Sequence, residues 1–149
     1  MERITFERIP KGMVESLMKT ESYIKETSLE FGLLELIRLR VSQINKCAYC
    51  IDMHYKELKQ SGETELRLST LSVWQETPFF TEKEKATLLF AESLTIINQS
   101  EITDSMYKSL TSFYDDETIC NLILIVAQIN SWNRIVRTLK FIPGNYIVQ

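Results

Sequence analysis

The stretch INKCAYCIDMHYKE, residues 44–57, brings two cysteines and the only histidine of the chain within eight positions. Cys47, Cys50 and His54 are types that carry thiol redox chemistry, proton transfer or metal binding. With Cys47 at the start of a helix, Cys50 falls about 60° to one side of it and His54 about 20° to the same side. All three then share one stripe, and Cys50 and His54 form an i, i+4 pair that can meet. A thiolate is the reactive form of cysteine, and a helix N-terminus or a neighbouring imidazolium favours it. The i, i+3 spacing also lets the two sulfurs close into a disulfide once one of them is oxidised. Glu35 adds a carboxylate in an apolar segment just upstream. Burial there would raise its pKa and make it an acid/base group near neutral pH. The alternative is an ion pair with Arg38 at i+3.

The elements that must position these residues read as helices. The chain has 149 residues, enough for one domain, taken as 1–149, with a real core. Its 4 Gly and 3 Pro fall at the edges of periodic segments. Pro10 opens a first helix at N1, running through GMVESLMKTESYIKE. Ser28 is the expected N-cap of LEFGLLELIRLRVSQI. The cysteine helix ends at Gly62. A shorter helix lies in ETELRLSTLSVW. Thr81 and Glu84 form a capping box for a helix from Glu82 to about Asn98. Thr103 caps DSMYKSLTSFY. Asp115 or Asp116 caps the last long helix, ETICNLILIVAQINSWNRIVRTLK, ended by Pro143 and Gly144. No strand run stands out, so the expected fold is an all-α bundle of six to seven helices. The tail GNYIVQ is expected to fray or to dock on a partner subunit.

Two segments are apolar on nearly every side, residues 29–44 and 119–129, which implies burial all round. Burial in the bundle or between subunits accounts for both, so a homo-oligomer is expected. Cys120, in the second of them, reads as a buried core thiol. A net charge of −3 with no basic cluster argues against a nucleic-acid surface. The run LILIVA, residues 122–127, is far short of a bilayer span, and the N-terminus has no apolar signal core. No membrane role is expected, and the cytoplasm is the expected location. In that reducing setting a CxxC is catalytic, redox-sensing or metal-binding rather than a structural disulfide.

With these residues in place, ELIRLRVSQINKCAYCIDMH resembles the core of the AhpD-like alkylhydroperoxidases, within the carboxymuconolactone decarboxylase family. The family motif, a Glu, eleven residues, then C-x-x-C-x-x-x-H, falls on Glu35, Cys47, Cys50 and His54 with every spacing kept. The likeness extends from about residue 13 through GETELRLSTLSVWQETPFFTEKEKATLLFAESLT and takes in INSWNRI near the C-terminus. It implies a small all-α fold assembled into trimers or hexamers and a cysteine-based peroxidase acting on organic hydroperoxides. It further implies a proton relay by Glu35 and His54, no bound cofactor, and recycling by an external dithiol of the lipoyl type or a peroxiredoxin partner. AhpD proper carries a second His between its cysteines where this chain has Tyr49, which leaves that specific partner system open.

Cys50 is the expected nucleophile because His54 lies at i+4, with Cys47 resolving, although Cys47 can take the first role from its place at the helix start. A zinc site is the first rival, but the second Cys/His pair that structural zinc favours is missing. Lactone decarboxylation is a weaker rival, because the members that perform it lack the cysteine pair. A non-catalytic redox sensor or dithiol partner protein is the alternative that keeps the same residues. Tyr49, Met53 and Tyr55 either line a hydrophobic pocket or are plain core.

Overall fold

The computed structural model describes residues 1–148. It holds seven α-helices and, among the described residues, no strand. They are α1 (Lys11–Lys25), α2 (Phe31–Ile44), α3 (Ala48–Gln60), α4 (Glu65–Thr70), α5 (Glu82–Thr95), α6 (Asp104–Leu110) and α7 (Asp116–Leu139). A 3-10 turn at Phe6–Arg8 precedes α1, and another at Leu71–Glu76 continues α4.

The starts follow the capping chemistry in the sequence. Thr64, Thr81, Thr103 and Asp115 each accept a hydrogen bond from a backbone N–H of the first turn. At Thr81 the bond is reciprocal, since Glu84 also accepts from the Thr81 backbone N–H. Two starts differ from the sequence reading. Pro10 is the N-cap of α1 rather than its first residue, with ψ of 127°. Ser28 does not cap α2. The turn after α1 is held by Thr27, whose hydroxyl and backbone N–H both donate to the Ile24 carbonyl, and Glu30 in extended conformation starts the helix. The ends differ too. The chain turns at Ile96, before Asn98, and α7 stops at Lys140, in the left-handed region at φ 59°, before Pro143.

Helix α2 is the spine. Leu33, Leu34, Ile37 and Val41 pack into a core shared with α1, α5, α6 and α7. Leu36 and Leu39, on other sides of the same helix, join Leu58, Leu68, Leu71, Trp74, Phe80 and Leu88 in a second core. One helix between two cores is why its sequence is apolar nearly all round, and no second chain is needed to explain it. Helix α7 differs. Ile119, Leu122, Ile125, Val126 and Ile129 face inward, while Cys120 and Ile123 are exposed. Cys120 is therefore not the buried core thiol its apolar neighbours suggested: one step along the helix carries it to the outer face. By length and composition α7 also qualifies as a bilayer-spanning helix, which its short LILIVA run did not foretell, yet half of its most apolar window is buried in the bundle.

The C-terminal segment does not wait for another subunit. Lys56 donates to the carbonyls of Gly144 and Tyr146, the Gly144 N–H donates to Asp52, and the Tyr146 hydroxyl donates to Glu57. Residues 144–146 are thus tied across α3 of their own chain.

Candidate active site

The connection from α2 to α3 is three residues long, and its geometry sets the site. Asn45 closes α2 by donating its N–H to the Val41 carbonyl, and Cys47 donates to Ser42. Lys46 between them takes a left-handed φ of 54°. This tight reversal lays α3 back along α2, with Cys47 as the N-cap of α3, Cys50 in its first turn and His54 one turn on. Glu35 comes from the middle of α2. All four sequence-expected residues are brought together and all are buried.

His54 Nδ1 lies 2.7 Å from Glu35 Oε2, and Arg38 Nη1 donates to Glu35 Oε1 at 2.7 Å. The relay contact and the ion pair with Arg38, set against each other above, therefore coexist on one carboxylate. Burial pushes the Glu35 carboxyl up, but the hydrogen bond and charge of His54 and the charge and hydrogen bond of Arg38 outweigh it and hold it below the usual range. This corrects the expectation that burial makes Glu35 an acid/base near neutral pH. It is a fixed carboxylate. Its chemical effect is to keep the proton on His54 Nδ1 and leave Nε2 as the reactive nitrogen. Nε2 is buried and has no hydrogen-bond partner. Cys50 and His54, the i, i+4 pair that can meet, share no hydrogen bond.

The two sulfurs lie 2.8 Å apart and share a hydrogen bond. That bond is the main reason the Cys47 thiol is pulled down to about 7; burial opposes it, and the Cys50 backbone N–H, the Arg137 charge and the Asn133 amide assist. The Cys50 thiol moves the other way, pushed well above its ordinary range first by its bond to Cys47 and then by burial. The dithiol thus gives up one proton readily and holds the second tightly, a single shared ionisation. We expect thiolate absorbance at 240 nm to rise with a midpoint near 7 in the wild type. Cys50→Ala removes the shared hydrogen bond, so the remaining Cys47 should titrate at higher pH. An unchanged midpoint would show that the pair is not coupled.

Cys50, Glu35 and His54 open on a cleft of about 370 Å³. Its walls are largely apolar and aromatic: Phe6, Phe31, Met53, Ile129, Trp132 and Phe141 among them. Tyr49 lines it and meets Phe141 edge-on, with ring centroids 5.6 Å apart. Tyr49 and Met53 are pocket residues, whereas Tyr55 packs on the second core and hydrogen-bonds Glu65. Tyr146 of the strapped tail also lines the cleft.

Several residues at the site carried no signal of their own in the sequence. Glu21 of α1 pairs with Arg38 Nη2 at 2.5 Å and accepts from Trp132 Nε1 at 2.8 Å, so Arg38 is clamped between two carboxylates. Asn133 of α7, fully buried, donates to Ser42 Oγ at 3.0 Å and accepts from Asn45 Nδ2 at 2.9 Å. Asn130 and Asn133, amides three apart in INSWNRI, are the sequence signal that could have led there. Among the described residues no group of three or more His, Cys, Asp and Glu is arranged to hold a metal ion.

Residues 12–93, which contain all four site residues, match the family model described as the carboxymuconolactone decarboxylase family. The chain belongs to that family. It is 42% identical over 135 residues to the uncharacterized protein YdfG of Bacillus subtilis (strain 168), covering 90% of this chain and 91% of that protein. A crystal structure from Agrobacterium tumefaciens, of a protein of unknown function named as a candidate AhpD antioxidant defence protein, superposes with a TM-score of 0.93. It is 32% identical, and the match covers 98% of this chain and 100% of that one. The debrominase Bmp8 shares the fold at a TM-score of 0.79 and 16% identity, over 90% of this chain and 72% of its own. The all-α, AhpD-like architecture is therefore that of this family, and a debrominase shares the fold.

Proposed function

We propose that this protein is a thiol-dependent peroxidase that reduces organic hydroperoxides through the Cys47–Cys50 couple. The observation that carries the reading is the placement of Cys50 and of His54, whose Nε2 has no hydrogen-bond partner, on one apolar cleft, with a second sulfur 2.8 Å from Cys50. An organic hydroperoxide suits it: the hydrocarbon part fills the aromatic walls and the O–O group meets the sulfur and the imidazole.

At rest the shared proton leaves the negative charge mainly on Cys47. Transfer of the Cys50 proton to Cys47, across their hydrogen bond, creates the nucleophile facing the cleft. The Cys50 thiolate attacks the terminal oxygen, the O–O bond breaks, and His54, which has taken a proton at Nε2 from solvent, delivers it to the departing alkoxide. Cys50 is then a sulfenic acid. Cys47 attacks its sulfur, a disulfide forms and water leaves. Glu35 does not exchange protons in this scheme; it orients His54 and stabilises the imidazolium. An external dithiol, of the lipoyl type or presented by a protein partner, restores the two thiols, and no bound cofactor takes part. We place the protein in the cytoplasm as a homo-oligomer, with the exposed apolar face of α7 around Ile123 as the surface to cover.

Steady-state consumption of cumene hydroperoxide with dihydrolipoamide as reductant tests the proposal. Many turnovers per chain are expected. One disulfide per chain with no further consumption, under excess reductant, would instead identify a redox sensor or dithiol partner protein.

A further inference from the structure

The cleft and the two sulfurs also constrain how the disulfide is reduced, given the dithiol reading above. We propose that the reductant uses the same cleft as the substrate and attacks Cys50, and that Cys47 departs as a thiolate held by Asn133 and Arg137.

Thiol–disulfide exchange needs the attacking thiolate in line with the S–S bond, on the far side from the leaving sulfur. Both cysteines are buried, but Cys50 lines the cleft and Cys47 does not. A separate polar recess of about 280 Å³ is lined by Asn45, Asn133, Arg134, Arg137 and Thr138. It reaches neither sulfur. Approach through the aromatic cleft therefore meets Cys50 first, with Cys47 behind it as the leaving group.

The surroundings of Cys47 suit a leaving thiolate. The Asn133 amide has two N–H donors. One donates to Ser42 Oγ, and Asn45 fixes the amide orientation by donating to its oxygen. The second N–H is left for the sulfurs. Arg137 is anchored on the same turn, its Nη1 donating to the Asn45 carbonyl at 2.9 Å. Both residues favour the Cys47 thiolate, and a more stable thiolate leaves faster.

The step balances as follows. The reductant thiolate bonds to Cys50 Sγ, and the electron pair of the S–S bond passes to Cys47. The reductant's second thiol, losing its proton to His54 Nε2, then attacks its own bound sulfur. The reductant leaves as a cyclic disulfide, Cys50 is released, and the proton held on His54 completes its thiol. A monothiol lacks the second sulfur, so Cys47 can return and expel it; dithiols are favoured for that reason.

The test starts from Cys120→Ser protein, which removes the exposed third thiol, oxidised with diamide to the Cys47–Cys50 disulfide. Diamide makes the result independent of whether a hydroperoxide is the substrate. The disulfide is exposed to 2-mercaptoethanol with iodoacetamide present, and tandem mass spectrometry locates each adduct. Mercaptoethanol on Cys50 with the alkyl group on Cys47 is the expected result. The reverse pattern, or equal labelling of both, overturns the proposal. Arg137→Gln should slow reduction of the disulfide by dihydrolipoamide about 2- to 5-fold, the reach of one partly exposed charge, and Arg137→Lys should restore it. Equal rates in all three would remove Arg137 from the step.

Discussion

Cys50→Ser should abolish hydroperoxide reduction, and Cys47→Ser should not abolish its first step. In sequence Cys50 is favoured only by His54 at i+4; in the structure Cys50, and not Cys47, lines the cleft. Cys47→Ser removes the thiol bond that raises Cys50, so Cys50 should ionise to solvent, still consume one hydroperoxide per chain and stop at the sulfenic acid, which dimedone traps. Turnover with a dithiol should fall to background, because no resolving sulfur remains. In Cys50→Ser the remaining Cys47 is ionisable but buried away from substrate, so neither consumption nor a dimedone adduct is expected. A sulfenic acid on Cys47 in that variant, formed at the wild-type rate, would reverse the assignment.

Glu35→Gln should lower the rate of hydroperoxide reduction by about 10²-fold or more, within the range general acid–base groups supply. The loss is expected although Glu35 touches no substrate in the scheme. A glutamine can accept from His54 Nδ1, but it no longer stabilises the imidazolium. The variant also leaves Arg38 with Glu21 as its only carboxylate partner, and a weakened buried charge pair should cost about 1–3 kcal/mol in urea unfolding. The pH dependence separates the two effects. Glu35 is held below its ordinary value of 4.5 in the folded chain. Its contribution to stability is therefore fully present above about 4.5 and is lost as pH falls through the lower folded value. Glu35→Gln should lose less stability than wild type across that acid window. Parallel stability curves would mean that the carboxylate has no depressed pKa in the folded state.

The parts of the site that were legible in sequence are those fixed by local geometry. Cys47, Cys50 and His54 fall on one turn-to-turn stripe of α3, and a capped helix delivers that stripe whatever packs on it. Glu35 was found through the family spacing and its apolar setting, yet its charge state was misjudged. That state depends on Arg38 and His54 binding opposite oxygens at once, and only packing reveals it. Helix starts at Thr81, Thr103 and Asp115 agree because side-chain capping is a short-range contact. Ser28 failed because a competing turn, held by Thr27 on the Ile24 carbonyl, moved the start of α2. Glu21 and Trp132 are 111 positions apart, and Asn45 and Asn133 are 88 apart. No periodicity couples residues at such distances. Cys120 was misread for a related reason: α7 is apolar on its exposed face as well as its buried one, so composition could not tell the faces apart.

The central claim is that Cys47 and Cys50 act together as a two-electron peroxide-reducing couple. A thiol count on fully reduced protein, before and after one equivalent of cumene hydroperoxide, addresses it most directly. The account predicts rapid loss of two thiols per chain, their return with dihydrolipoamide, and no such loss in Cys50→Ser. Thiols that stay intact, or that oxidise only over hours, would contradict it.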